Sequence, residues 1–465
     1  MAPQATITSY DWSNDSAEVI DEITNNALLL SNHSYGIPGF DSSGDISVQP
    51  LVLGCYSSDA ALWDQIAYNA PYYLMVASAG NNGDVNDDPN QLRSGYDKLT
   101  HEKNAKNNLV VASAKPLVFP NGNILIQEDS FSSQGPSDDG RIKPDITANG
   151  NLSFSSSSTS NDAYVNLGGT SMSSPNTSGT LLLLQQYYNE LNSKFMKAST
   201  LKGLACHTAT DDTFNIGPDP ELGWGFFNAE RAANAILDDS NSNAIILETN
   251  LTDERNYSTT FTTDGSSELS ASICWTDPAG SSKNNSLNDP TPVLVNDLDL
   301  RLTAPDGTTV FFPWKLNLSD ISAAATKGDN IVDTIENIDI TTPTAGTYTI
   351  EVSHKGTLVN GSQDFSLILT GSNITLSTNK NSFSNYSVWP NPTDNILNFR
   401  FKSQNNKKVY ISLIDIRGRK VMTEVIANPE DQINSYIKVD AYTKGLYILK
   451  IKQGNYVINK KNIIN

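Results

Sequence analysis

The sequence predicts an α/β domain, with a parallel sheet flanked by helices, followed by two all-β sandwich domains. In the first 240 residues, short apolar runs ending in Gly or Asn alternate with helical stretches, which is typical of layered α/β domains. Beyond about residue 244, apolar residues alternate in twos, which indicates antiparallel sandwiches. The charge also changes sign. From Leu376 onward the chain has 14 basic residues (Lys and Arg) and 6 acidic residues (Asp and Glu). The first 375 residues have 17 basic and 45 acidic residues, a difference expected of separate modules.

Each element of the first domain has its own signal. A helix is predicted over 57–69, where Ala61 and Ile66 recur at helical spacing. A second is predicted from Ser171 to Tyr188, with Pro175 in its first turn, where a missing N–H is tolerated. The apolar runs that predict parallel strands cover 28–30, 73–77 and 108–114.

Alternation defines the rest of the chain. The predicted domains are 1–240 (α/β), 244–372 (jelly-roll or sandwich) and 384–465 (a second sandwich), with a polar linker at 373–383. Strands of the middle domain are predicted at 270–275, 298–303, 347–352 and 365–369. Those of the last domain are predicted at 395–401, 409–416, 445–451 and 456–464.

Composition limits the classes of protein to which the chain can belong. Its net charge of −20 makes nucleic acid an unexpected partner. Polar residues break every apolar stretch near membrane length, so no membrane-spanning segment is expected. Cys55, Cys206 and Cys274 are few and far apart, which predicts buried free thiols. The residues after Met1 lack a signal-peptide pattern, so an export signal would lie upstream of this sequence or be lost.

One segment carries a candidate nucleophile. The run Gly168-Gly169-Thr170-Ser171 precedes the second predicted helix, so Ser171 lies where free N–H groups and the helix dipole favour negative charge. A hydroxyl there can attack a carbonyl while its own N–H faces the oxyanion. Taken alone, the run fits an ordinary N-cap serine equally well.

Further motifs resolve this ambiguity. The run from Gly169 to Gly179 resembles the nucleophile segment of the subtilisin-like serine proteases, the subtilases. Ala77 to Gly83 resembles their oxyanion strand, and Ser34 to Gly36 resembles the strand that pairs with extended substrate. Shorter matches in the same order lie at 131–136, 141–145 and 223–225.

This resemblance implies a subtilisin-like fold and a serine endopeptidase acting on polypeptide substrates through an acyl-enzyme on Ser171. It implies that Asn81 and the N–H of Ser171 stabilise the oxyanion. It also implies that an extended peptide binds along Ser34, Tyr35, Gly36, Ser78, Ala79 and Gly80.

The sequence departs from the family in one respect. Subtilases carry Asp and His motifs before the substrate strand, but the 33 residues that precede Ser34 contain neither. None of the four histidines is followed by Gly, and Asp41-Ser42-Ser43-Gly44 comes after that strand. We therefore expect an N-terminally incomplete domain without its general base and with negligible activity alone. The alternative is a non-catalytic peptide-binding pseudoprotease, or an adhesin displayed on the cell surface.

The middle domain suggests a cofactor. Cys274 to Pro278 and Leu294 to Leu300 resemble the C-terminal jelly-roll of large bacterial subtilases. Asp297 and Asp299 supply hard oxygen donors and are candidate ligands for structural calcium, although a solvated pair at a strand start is the simpler interpretation. The acidic loop 84–88 is a weaker candidate, and no organic cofactor is expected.

The last domain resembles the C-terminal sorting domain of type IX secretion substrates. The matches are at 388–392, 414–418 and 445–447. They imply recognition by the type IX secretion machinery and a secreted or cell-surface location. A generic adhesive sandwich is the alternative.

Overall fold

The computed structural model describes residues 2–41, 43–85, 93–253, 255–377, 386–403, 408–415, 419–427, 429, 431–453 and 456–465. The chain forms two compact units, Met1–Leu376 and Ser377–Asn465. The predicted boundary at 240–244 falls inside the first unit.

The first unit begins with an α/β layer. Its helices are α1 (Asp15–Asn26), α2 (Ser58–Asn69), α3 (Thr170–Asn192), α4 (Ala198–His207) and α5 (Ala229–Ser240). Its strands are β1 (Leu30–His33), β2 (Leu74–Ser78), β3 (Leu109–Val118), β4 (Ile124–Glu128), β5 (Ile146–Ala148), β6 (Ser153–Ser156) and β7 (Tyr164–Leu167).

The predicted parallel sheet is present. Strands β1, β2 and β3 lie side by side in parallel, and β5 adds to the first half of β3 in the same direction. The second half of β3 pairs antiparallel with β4, and β6 pairs with β7. Side chains alternate across the sheet: Leu74 and Val76 pack with Leu181 of α3, whereas Met75 and Ala77 pack with Trp63 of α2.

Local sequence explains where these helices begin. Ser57 is the N-cap of α2, and its hydroxyl accepts the N–H of Ala60 at 3.2 Å. Helix α3 begins at Thr170 and runs to Asn192, four residues past the predicted end. Its N-cap is Gly169, so Pro175 lies in the second turn. The prediction that Pro175 lies in the first turn is therefore wrong.

The second half of the first unit is an antiparallel sandwich. One sheet has the order β15-β10-β17-β8 and the other β12-β11-β16-β9-β18. The strands of these two sheets are β8 (Ile245–Thr252), β9 (Tyr257–Thr263), β10 (Leu269–Trp275), β11 (Asp297–Thr303), β12 (Val310–Phe311), β15 (Ile335–Ile340), β16 (Gly346–Lys355), β17 (Ser362–Thr370) and β18 (Thr375–Ser377). Strands β13 (Trp314–Lys315) and β14 (Thr326–Lys327) form a separate two-stranded sheet.

Helix α4 joins the two halves of this unit. All ten of its residues are buried, and it packs against β10 and β17 of the sandwich. His207 at its end contacts the hydroxyls of Ser272 and Thr370 at 2.7 and 2.8 Å. The α/β layer and the sandwich therefore share a buried interface.

The second unit is a smaller sandwich with its own core. Its sheets have the orders β19-β20-β23 and β22-β21-β24-β25. The strands are β19 (Ser387–Trp389), β20 (Ile396–Lys402), β21 (Val409–Asp415), β22 (Lys420–Ile426), β23 (Gln432–Lys438), β24 (Gly445–Gln453) and β25 (Tyr456–Ile464). An α/β domain with a parallel sheet followed by antiparallel sandwiches confirms the predicted fold class. The three cysteines are buried and free, as predicted.

Candidate active site

Ser171 lies in the first turn of α3, close to the C-terminal end of β1. Gly169 caps the helix with φ of 143°, a conformation that favours glycine. The Ser171 hydroxyl caps nothing and donates to the carbonyl of Ser34 at 3.2 Å. The ordinary N-cap interpretation of Ser171 is therefore wrong, and its hydroxyl instead faces the end of β1.

Asn81 is oriented by the residue before Ser171. Its Oδ1 accepts both the N–H and the hydroxyl of Thr170, at 2.9 and 3.0 Å. The Thr170 hydroxyl in turn accepts the N–H of Gly80 at 3.0 Å. Because Oδ1 is held in this way, the side-chain Nδ2 is the group that remains for donation, as an oxyanion donor requires.

A cavity of about 220 Å³ lies beside these groups. Ser171 and Asn81 line it, together with five of the six predicted peptide-binding residues: Tyr35, Gly36, Ser78, Ala79 and Gly80. The sixth, Ser34, contributes the carbonyl that accepts the Ser171 hydroxyl. The structure therefore brings together all of the residues that the sequence motifs single out for peptide binding and attack.

Several residues that line this cavity were not singled out from the sequence. Thr170 orients Asn81, and its place inside the Gly-Thr-Ser motif was a usable signal. Lys98, Thr100 and Lys103 also line the cavity, but nothing in their local sequence marks them. The Lys98 amine donates to the carbonyl of Gly83 at 2.7 Å, and the Lys103 amine donates to Glu102 at 2.6 Å.

His33 is close to this site in sequence but lies on the other face of the sheet. Its ring packs edge-on against Trp63 of α2 and contacts the hydroxyls of Ser31 and Tyr35 at 2.7 and 2.6 Å. The neighbouring Asn32 points the opposite way and accepts the hydroxyl of Ser174 on α3 at 2.8 Å. Burial lowers the pKa of His33 to about 4, so the ring is neutral at pH 7. Because it points away from α3, it does not contact Ser171.

The other three histidines do not supply a base either. Burial lowers the pKa of His207 to about 3, and this ring is held at the sandwich interface. His101 lies in a 3-10 helix and His354 in β16. None of these rings lines the cavity beside Ser171.

Asp297 and Asp299 lie far from this cavity, on β11 of the sandwich, and are paired with cations. Lys355 lies 3.2 Å from Asp297 and 2.7 Å from Asp299. Arg301 lies 2.9 Å from Asp299. Calcium would have to displace these cations, so the two carboxylates do not form an open calcium site. Calcium binding at Asp297 and Asp299 stays a prediction. Residues 86–88 of the acidic loop lie outside the described part of the chain.

The described residues contain neither a metal-binding cluster nor a membrane-spanning helix. Among them, no group of three or more His, Cys, Asp and Glu side chains is placed to hold a metal ion. No helix in the described part is both long enough and apolar enough to cross a membrane.

Comparison with known families gives two matches. The profile of the subtilase family matches residues 1–225, and that of the secretion system C-terminal sorting domain matches residues 387–465.

Curated relatives include three proteases of two organisms. The serine protease/ABC transporter B family protein tagD of Dictyostelium discoideum is 25% identical over 468 residues, 72% of this chain and 25% of that protein. Protein tagA of the same organism is 28% identical over 37% of this chain and 11% of its own length. The C5a peptidase of Streptococcus pyogenes is 39% identical over 22% of this chain and 8% of its own length. The chain thus spans a quarter or less of these relatives.

Solved structures with some likeness include the patellamide maturation protease PatA, at 18% identity and a TM-score of 0.33, covering 48% of this chain and 67% of that one. A lanthipeptide protease has 19% identity and a TM-score of 0.36, and the match also covers 48% of this chain and 67% of that one.

The family matches establish the assignment. Residues 1–225 form a domain of the subtilase family of serine proteases, and residues 387–465 form a sorting domain that indicates type IX secretion to the cell surface or outside.

Proposed function

We propose that this chain is the nucleophile and oxyanion part of an exported serine endopeptidase, with Ser171 as the residue that forms the acyl-enzyme. The observation that carries this proposal is the convergence of Ser171 and Asn81 with the ends of β1 and β2 on one cavity. Polypeptides are the proposed substrates, and the type IX machinery is the proposed partner in export.

Each group has a distinct role in the proposed reaction. The Ser171 oxygen attacks the scissile carbonyl, and the carbonyl oxygen takes the negative charge. The Nδ2 of Asn81 and the N–H of Ser171 donate to that oxygen. Main-chain groups of Ser34 to Gly36 and Ser78 to Gly80 bind the peptide as an added strand.

Among the described residues, no side chain that could act as a general base forms a hydrogen bond with the Ser171 hydroxyl. Its hydroxyl donates to the Ser34 carbonyl, and a carbonyl oxygen is too weak a base to generate an alkoxide. A serine hydroxyl without an adjacent base is a poor nucleophile. Losing members of such a triad reduces kcat by about 10⁴ to 10⁶. We therefore propose that residues 1–465 alone have negligible peptidase activity.

The test is hydrolysis of casein and of a peptide ester by purified residues 1–465. An intact subtilase serves as the positive control and the Ser171→Ala variant as the matched negative control. We expect turnover at least about 10⁴-fold below the intact enzyme, and no difference between wild type and Ser171→Ala. Turnover within tenfold of the intact enzyme, abolished by Ser171→Ala, would show that this chain supplies a base of its own.

A second candidate is a non-catalytic peptide-binding pseudoprotease or adhesin. One observation favours it: the cavity and its donors are in place although no histidine lines it. Joining a segment that carries the Asp and His motifs of a related subtilase to residue 1 separates the two candidates. Hydrolysis that depends on Ser171 supports the protease. Peptide binding without turnover in that fusion supports the binding protein.

A further inference from the structure

Two carboxylates meet in the interior of the first unit, and neither accepts a hydrogen bond from the described residues. Asp97 is fully buried and Asp138 is 3% exposed. All four of their carboxylate oxygens are buried and lack a hydrogen-bond partner. Buried polar atoms without partners are rare in folded proteins and call for an explanation, such as a bound ion.

The backbone fixes both carboxylates around Gly54. A Cβ built on Gly54 would lie 1.7 Å from Oδ1 of Asp97 and 2.9 Å from Oδ1 of Asp138. Because both distances start from the same point, the two oxygens are at most about 4.6 Å apart. The N–H of Asp97 donates to Gly135 at 2.7 Å, and the N–H of Asp138 donates to Gly54 at 2.9 Å. Because Gly54, whose φ is 69°, carries no side chain, the Asp97 carboxylate can pack directly against its backbone and approach Asp138.

The charges around the pair do not balance. Arg93 is the nearest cation, but its Nη2 lies 4.0 Å from Oδ1 of Asp138 and donates to the backbone carbonyls of Asp138 and Asn288, at 2.8 and 3.2 Å. The neighbouring Arg141 is paired with Asp139 at 2.9 Å. One guanidinium beside two carboxylates leaves a net negative charge in the interior.

We propose that Asp97 and Asp138 bind a hard divalent cation of the calcium class between their carboxylates. Carboxylate oxygens are the ligands that such cations prefer, and two bidentate carboxylates supply four of the six to eight oxygens required. Backbone carbonyls and water complete the shell. The ion ties together the segments at 54, 97 and 138. Asp97 directly precedes Lys98, so the same ion fixes one wall of the cavity beside Ser171. The site does not depend on the proposed catalytic function.

The test uses the full chain at pH 8 after EDTA has removed bound metal. Calcium binding is measured by titration, and thermal unfolding is measured by calorimetry with calcium and with EDTA. We expect wild type to bind one calcium ion and to melt at a higher temperature with calcium than with EDTA. The Asp97→Asn/Asp138→Asn variant should lose at least about tenfold in calcium affinity, because ligand charge sets affinity. The Asp297→Asn/Asp299→Asn variant is the matched control and should bind as wild type does.

Other outcomes would overturn the proposal. Loss of binding in the Asp297→Asn/Asp299→Asn variant alone would move the ion to the sandwich. Absence of calcium and magnesium binding to wild type would mean that the two carboxyls share a proton instead. If the double variant does not fold, as judged by circular dichroism, the single Asp138→Asn variant gives the same comparison.

Discussion

His33 shows how a single residue can mislead when only its position in the sequence is considered. It is adjacent in sequence to Ser34, whose carbonyl accepts the Ser171 hydroxyl. Yet alternation along β1 places its ring among Ser31, Tyr35 and Trp63 on the α2 face. The motifs single out Ser171 and Asn81, which line one cavity, but only the folded sheet shows which face each neighbouring side chain occupies.

This burial predicts a pH-dependent contribution of His33 to stability. Burial lowers the pKa of His33 to about 4 in the folded chain, whereas an unfolded histidine titrates near 6.5. The neutral ring therefore stabilises the fold fully above about pH 6.5, and this contribution is lost as the pH falls toward 4. A shift of this size corresponds to about 3 kcal/mol.

Urea unfolding of wild type and His33→Gln at several pH values measures this loss. The difference in unfolding free energy between the two should be largest above pH 7 and should shrink by about 3 kcal/mol toward pH 4. Titrating carboxyls common to both proteins cancel in the difference. His101→Gln is the control from outside this cluster. A difference that stays constant with pH would contradict the prediction.

Among the elements, those with strong local signals were predicted well. Ser57 caps α2 where the sequence placed the helix, and the alternating runs in the sandwich became β10, β11, β16 and β17. Strands β22 and β23 were missed for physical reasons. Most side chains of β22 are exposed, and only Ile433 and Ile437 of β23 are buried hydrophobic residues. Neither strand therefore has an apolar alternation to detect.

One part of the contact between the α/β layer and the sandwich could not be predicted because it consists of isolated polar residues. Lys106, just before β3, is fully buried, and so is Asp277, just after β10. The Lys106 amine donates to Asp277 and to the carbonyls of Pro278 and Val293 at 2.6 and 3.1 Å. In the sequence these two residues are 171 positions apart, and neither forms part of a periodic pattern.

We predict that Lys106→Met strongly destabilises the first unit. It leaves the Asp277 carboxylate buried without its cation, which costs about 3 to 5 kcal/mol. Lys197→Met is the matched control. Lys197, the N-cap residue of α4, also pairs with a residue of the sandwich, Asp364, at 2.6 Å, but both side chains are partly exposed. Its cost should be about 0 to 1 kcal/mol. Urea unfolding measures both, and equal losses would contradict the prediction.

At the scale of the whole molecule, the division of charge follows the division into units. The first 375 residues carry 17 basic and 45 acidic side chains, and the remainder carries 14 and 6. The second unit, Ser377–Asn465, also has its own hydrophobic core, which includes Leu397, Phe399, Ile411 and Leu449. A unit with its own core and its own charge balance has what it needs to fold independently.

We predict that residues 384–465 fold alone and act as an export address. Expressed by itself, this module should melt cooperatively, because a sandwich of about 80 residues can bury a sufficient core. Fused behind a signal peptide and a fluorescent reporter, in a host with type IX secretion, it should carry the reporter out of the cell. The Phe399→Asp variant is the matched control: it places a charge in the core of the module, which should unfold it and leave the reporter in the periplasm. If the wild-type module folds but its reporter also stays in the periplasm, the module does not suffice for export, and the adhesive interpretation becomes the better one.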